Sequence, residues 1–240
     1  MAISINIRDF RVITKGVRCP ECAQLFTTEV MDFLPPFTKF TLIESDLHRI
    51  LPFAALRGTL IVICPKCLCS WWHSAFEAVE LEPGQTVMAA PVVDPPKKFA
   101  QAMLTGRKNN IHSIDRAMVA FNGYWCAREC AQPHEKWLTL VAQELTTALE
   151  DTNWFGNRAR YRYLLAETFR LMGEFRDAVR QFDQVDVDCR LPLSLIERQK
   201  KIAQARMNCP VLLPIDAVDE IFIDPPEALP GEVIEVPVEV

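Results

Sequence analysis

Two copies of one four-residue motif, Cys19-Pro20-Glu21-Cys22 and Cys64-Pro65-Lys66-Cys67, constrain this chain more than anything else in it. A C-x2-C loop brings two sulfurs to one side, separated by one edge of a tetrahedral metal–thiolate site, so two loops supply all four ligands. A closed ligand set leaves no position for a substrate. The role implied is therefore structural, with one zinc per chain. Forty-one residues separate Cys22 from Cys64, against the usual ~15 to 20, so the N-terminal unit reads as zinc-ribbon-like with an insertion between its two turns. Val17-Arg18 leads into the first turn as a strand, and Thr59 to Cys64, TLIVIC, into the second. Such turns generally want glycine at the left-handed position after the second cysteine. Ala23 and Leu68 stand there instead, at a cost of roughly 1 to 2 kcal/mol each if that geometry is kept. Cys69 and His73 are near enough to compete as ligands. The opposing reading is a pair of buried or redox-active CxxC thiols.

The nine cysteines form an odd set. The first sixteen residues, MAISINIRDFRVITKG, lack the basic start and apolar stretch of an export signal, so metal ligands and free thiols are expected rather than a disulfide framework. The expected location is cytoplasmic. No apolar run approaches the ~18 residues of a membrane span. Eight scattered glycines provide no phosphate-binding loop, and neither HExxH nor GxSxG occurs. Cys126 and Cys130, one helical turn apart, read as small core residues; His48 and His112 have no telling neighbours and default to exposed or capping roles.

Punctuation divides the chain into a zinc-ribbon-like CPxC unit at 1–80, a Pro-rich linker at 81–99, a helical unit at 100–208 and an acidic Pro-rich tail at 209–240. Ser113 is an expected N-cap ahead of Ile114, Ala117, Met118, Phe121 and Trp125 on one helix face. Pro133 opens a second helix, Tyr161 to Met172 form a third stripe closed by Gly173, and Phe175 to Phe182 a fourth. Ser194 and Glu197 have the spacing of a capping box for a fifth. In the tail, Ile234, Val236, Val238 and Val240 alternate with polar residues and prolines, the period of an edge strand. The charge is uneven: 8 basic against 10 acidic residues in 1–96, 18 against 13 in 97–206, and none against 8 in 207–240. Fold class is thus α+β: a small zinc-ribbon-like β unit, then an antiparallel helical bundle and the acidic tail.

Ala166, Phe169, Gly173, Ala178, Phe182 and Val185 follow the small, aromatic, Gly, Ala, aromatic and small-or-apolar spacing of a tetratricopeptide (TPR) unit. One copy is convincing, so the helical half is TPR-like rather than a TPR array. Together with CPECAQLF, ESDLHRILPF and LIVICPKC, the later run YRYLLAETFRLMGEFRDAVRQFDQV resembles the bacterial domain-of-unknown-function family 2225. That family is similar in pairing two CPxC turns with a TPR-like half whose signature is matched here by Glu167, Arg170, Gly173, Ala178 and Phe182. The likeness spans roughly residues 15–207, and the first half also resembles CpXC-type modules. Neither family implies an activity.

The favoured function is a non-enzymatic interaction protein that binds a protein or peptide through its helical half. Candidate partner-binding residues are Trp71 and Trp72 beside the second turn and Arg158, Arg162 and Arg170 on the helices, although core packing beneath the metal explains the two tryptophans better. The alternative is a nucleic-acid-binding zinc-ribbon regulator, from the run of arginines between 158 and 180. A thiol-disulfide redox enzyme stands third, because neither CxxC opens a helix as such enzymes require. The balance leans away from an enzyme.

Overall fold

The computed structural model describes residues 10–33, 43–48, 50, 54–154, 156–185 and 191–213. Strand β1 (Phe10–Arg18) pairs antiparallel with β2 (Leu25–Phe33) along its whole length, from Phe10 opposite Phe33 to Arg18 opposite Leu25. The period-two pattern sets its inner face: Phe26, Thr28 and Val30 are buried while Glu29 between them is exposed. Strand β5 (Glu77–Val79) adds antiparallel to β1, and the short β6 (Met88–Ala89) parallel to β2, giving the order β5-β1-β2-β6.

A second, two-stranded sheet joins β3 (Ile61–Ile63) to β4 (Ser70–Trp72). The strand expected over 59–64 is shorter, because Gly58–Leu60 form a 3-10 turn after the brief helix α1 (Ala54–Arg57). Ile61, Val62 and Ile63 are all buried, as their unbroken apolar run requires.

Among the described residues, six helices follow the sheets: α2 (Pro95–Lys108), α3 (Ser113–Glu129), α4 (Glu135–Glu150), α5 (Arg158–Leu171), α6 (Phe175–Phe182) and α7 (Leu193–Gln204). Helix α2 begins on Pro95 and Pro96, inside the stretch read as linker, because a first turn has no intrahelical use for the amide hydrogens that proline lacks. The cap of α3 is His112, whose Nδ1 accepts the Ile114 amide at 3.2 Å, one residue ahead of the expected Ser113. The capping box predicted from Ser194 and Glu197 is not made; Pro192 precedes α7 and Ser194 lies inside it. Gly173, at φ +82°, turns the chain between α5 and α6 as expected. The strand read at 234–240 lies outside the described residues.

Each helix packs on the next, and α2 also lies across β3 and β4. One hydrophobic core therefore runs from Val17 and Phe26 through Trp72 and Phe99 to Phe121, Leu145 and Tyr163. The joint is tight. A Cβ on Gly106 of α2 would stand 2.8 Å from Cζ3 of Trp71, so only glycine lets α2 approach that ring.

Candidate metal centre

The β1–β2 and β3–β4 hairpins end in the same six-residue turn. In the first, the Cys19 amide donates to Gln24 O at 2.9 Å and the Ala23 amide to Cys19 O at 3.0 Å. In the second, the Cys64 amide donates to Cys69 O at 2.9 Å and the Leu68 amide to Cys64 O at 3.1 Å. Ala23 and Leu68 both adopt left-handed backbone, φ 57° and 59°. The turn geometry anticipated from the motif is kept despite the missing glycines.

The two turns face each other across the metal-sized gap. Cys19 Sγ lies 3.6 Å from Cys67 Sγ and Cys22 Sγ 3.7 Å from Cys64 Sγ, and all four sulfurs fall within 4.8 Å of one another. A tetrahedral ion with metal–sulfur bonds of about 2.3 Å has S···S edges of about 3.8 Å. The donor set thus fits a four-coordinate, thiophilic ion. Cys69 and His73, named as competing ligands, stand outside this group.

Electrostatics divides the four thiols. Burial pushes the Cys19 thiol up to about 11, although the Cys22 and Glu21 amides partly offset it. The Gln24 amide draws Cys22 down to about 7. Backbone donors aimed at sulfur stabilise thiolate, but four thiolates this close repel one another unless a cation is shared among them.

Helix α2 and its C-terminal cap residue Asn109 brace both turns. Asn109 Nδ2 donates to Glu21 Oε1 at 2.6 Å beside the first, and Gln101 Nε2 donates to Leu68 O at 3.2 Å in the second. The Ser70 amide, just past the second turn, donates to Thr105 Oγ1 at 3.1 Å.

The two tryptophans take the core position the sequence favoured for them, whereas Arg170 does not take the surface position expected of it. Trp71 and Trp72 are 8% and 2% exposed and pack on α2, so they form core under the second turn and not an exposed anchor. Arg170 is fully buried in an ion pair with Glu167, Nη2 to Oε2 2.8 Å, and so presents nothing to a partner. Arg158 donates from Nη1 to Asp151 O at 2.9 Å and from Nη2 to Leu149 O, closing the end of α4. Arg162 donates to the Gln184 side chain and is half-buried.

Residues Ile43 to His48, inside the insertion between the two turns, are buried throughout. His48 is 2% exposed, correcting its reading as a solvent-exposed or capping residue. Glu44, Asp46 and His48 are close enough together to suggest a second cation site. Their ligand atoms are already engaged: Glu44 takes both nitrogens of Arg128, Asp46 accepts from Trp125 Nε1, and both His48 nitrogens meet carboxylates. The sequence signal available was charge density in an otherwise apolar stretch, ESDLH, with partners 81 residues away that no spacing rule links to it.

Comparison with protein-family models, curated proteins and solved structures finds no match to this chain.

Proposed function

We propose that the chain is a non-enzymatic, zinc-stapled interaction protein whose helical half binds a protein or peptide. The observation that carries the staple is the closed quartet of Cys19, Cys22, Cys64 and Cys67, delivered by two turns of matching backbone geometry. Four sulfurs in a tetrahedral set suit zinc or iron, and zinc is the ion that forms a purely structural staple. With every coordination position taken by protein, the ion would hold two hairpins together and offer none to a substrate. The N-terminal unit is then ribbon-like in function, a pair of hairpin turns fastened by one ion.

A TPR-like helical half is supported at the α5–α6 contact. Ala166 and Ala178 are fully buried there, Phe182 is 2% exposed, and the Tyr163 and Phe182 rings meet edge-on at 5.8 Å. Small residues at 166 and 178 allow close approach, as TPR pairs require. The same residues, with Glu167, Arg170 and Gly173, support assignment to domain-of-unknown-function family 2225. The nucleic-acid reading loses support, because Arg170 is buried and Arg158 is spent on carbonyls of its own fold. Among the described residues no helix is long and apolar enough to cross a membrane.

Native mass spectrometry of full-length protein, purified under reducing, chelator-free conditions and compared with its denatured mass, tests the reading. One zinc per chain is expected, and any further retained mass identifies a bound partner. Iron in its place overturns zinc as the ion; no metal leaves two free CxxC pairs and returns thiol-redox chemistry to the front.

A further inference from the structure

The second buried cluster has a protonation state written into its geometry. His48 Nδ1 lies 2.6 Å from Glu44 Oε2 and Nε2 lies 2.8 Å from Glu129 Oε1. A neutral imidazole has one donor and one acceptor nitrogen, whereas an ionised carboxylate only accepts. Both carboxylates are kept ionised by guanidiniums: Arg128 donates to Glu44 through Nη1 and Nη2 at 2.7 and 2.9 Å, and Arg57 to Glu129 through Nε and Nη2 at 3.0 and 2.9 Å. Both ring nitrogens must therefore donate, which makes His48 an imidazolium. The Trp125 ring stacks on it at 5.3 Å, 12° from parallel.

The groups facing His48 come from three elements. Its own segment supplies Glu44 and Asp46, whose Oδ1 accepts the His48 amide at 3.2 Å. Helix α1 supplies Arg57, and α3 supplies Trp125 and Glu129 directly, with Tyr124 and Arg128 facing its partners Glu44 and Asp46. Burial by itself lowers the imidazole's proton affinity, but the bonds to Glu129 and Glu44 outweigh it and hold the pKa above the ordinary 6.5.

This segment also anchors the chain's far end. The Ser45 amide donates to Val211 O and the Leu213 amide to Ile43 O, both at 2.8 Å, beside the bridge between Glu44 and Leu212. Tyr163 Oη donates to Ser45 O at 2.6 Å. We propose that Glu44–His48 is a proton-locked latch: the imidazolium bridges Glu44 and Glu129 to pin the segment on α3, and loss of its proton releases the segment together with residues 211–213. Deprotonation turns one ring nitrogen into an acceptor facing a carboxylate, two acceptors with no hydrogen between them. The latch is closed below pH 6.5 and opens as pH rises through the folded-state pKa. It thereby governs attachment of the stretch that leads into the acidic C-terminus.

The test is a pH titration of the full-length, metal-loaded protein. The His48 ring resonances, assigned by through-bond correlation, report the pKa. Hydrogen exchange at the Ser45 and Leu213 amides, corrected for intrinsic rate, reports the latch. The expected result is a midpoint above 6.5, with protection at both amides at least tenfold lower one pH unit above the midpoint than one below, while amides of the β1–β2 ladder keep theirs. Glu129→Gln should lower the midpoint by a unit or more and move the loss of protection with it. A midpoint at or below 6.5, or protection at Ser45 and Leu213 unchanged through the titration, overturns the latch. The wild-type measurement decides without the variant.

Discussion

Ala23 and Leu68 sit at equivalent positions of two hairpin turns and share one backbone conformation, φ 57° and 59°, in the region L-residues avoid. Each follows the second cysteine of its pair and donates its amide to the carbonyl of the first. The strain is tolerated because both turns are held from outside, by pairing within their hairpins, by Gln101 of α2 and by Asn109 at its C-terminal cap.

That relationship predicts the sign of an exposed substitution. Leu68 is 53% exposed, so Leu68→Gly loses little packing and removes the left-handed penalty. A net stabilisation of up to about 1 kcal/mol is expected. Leu68→Val, β-branched at the same φ, should destabilise. Denaturant unfolding of the metal-loaded chain measures both, and a less stable glycine variant would show that the turn is not strained.

Gln199 on α7 is fully buried, and among the described residues neither its Oε1 nor its Nε2 has a hydrogen-bond partner. An unpaired buried amide costs about 1–3 kcal/mol. Gln199→Met keeps the length of the side chain and should raise stability by that order, read as a higher midpoint in urea. A drop instead would mean the amide is satisfied in solution.

Arg170, itself buried, is the central donor of a network that joins buried Glu167 and Ser45 Oγ to the carbonyls of the exposed residues Met207 and Cys209, at 2.7 to 3.1 Å. Arg170→Ala strands the buried Glu167 carboxylate, and a loss of about 3–5 kcal/mol is expected. Pairing it with Glu167→Gln should recover part of that loss, because the stranded charge goes but the bonds that tied Ser45, Met207 and Cys209 to the helix are not restored. Equal stability of the single and double variants would contradict the charge argument.

Acid should weaken the fold through Glu44. Burial raises its pKa, but the bonds to His48 and Arg128 overcome this and bring it to about 2 from 4.5. A depressed carboxylate contributes stability that is complete above 4.5 and lost as pH falls towards about 2, on the order of 3 kcal/mol over that window. Asp46 and Glu167, pushed up chiefly by burial, act in the opposite sense. The specific expectation is therefore comparative. Stability measured from pH 6 to pH 2 should fall less steeply for Glu44→Gln than for the unaltered chain.

The parts of this protein that could be read in the sequence are those set by neighbours along the chain. A C-x2-C turn is local, so the four sulfurs, the strands entering each turn and the left-handed residue after each pair follow from spacing. Helix faces are equally local, and the stop at Gly173 lies where a left-handed residue is cheapest. Tertiary structure decided what those elements touch. Trp71 and Trp72 look alike whether exposed or buried, and only the packing of α2 at Gly106 makes them core. Arg170 belongs to a basic-looking run, yet burial against Glu167 removes it from any surface. His48 acquires its partners from residues up to 81 positions away, and a lone histidine carries no sign of them. Spacing specifies geometry within a turn or a helix; which charges meet in the interior depends on how the two halves close over one core.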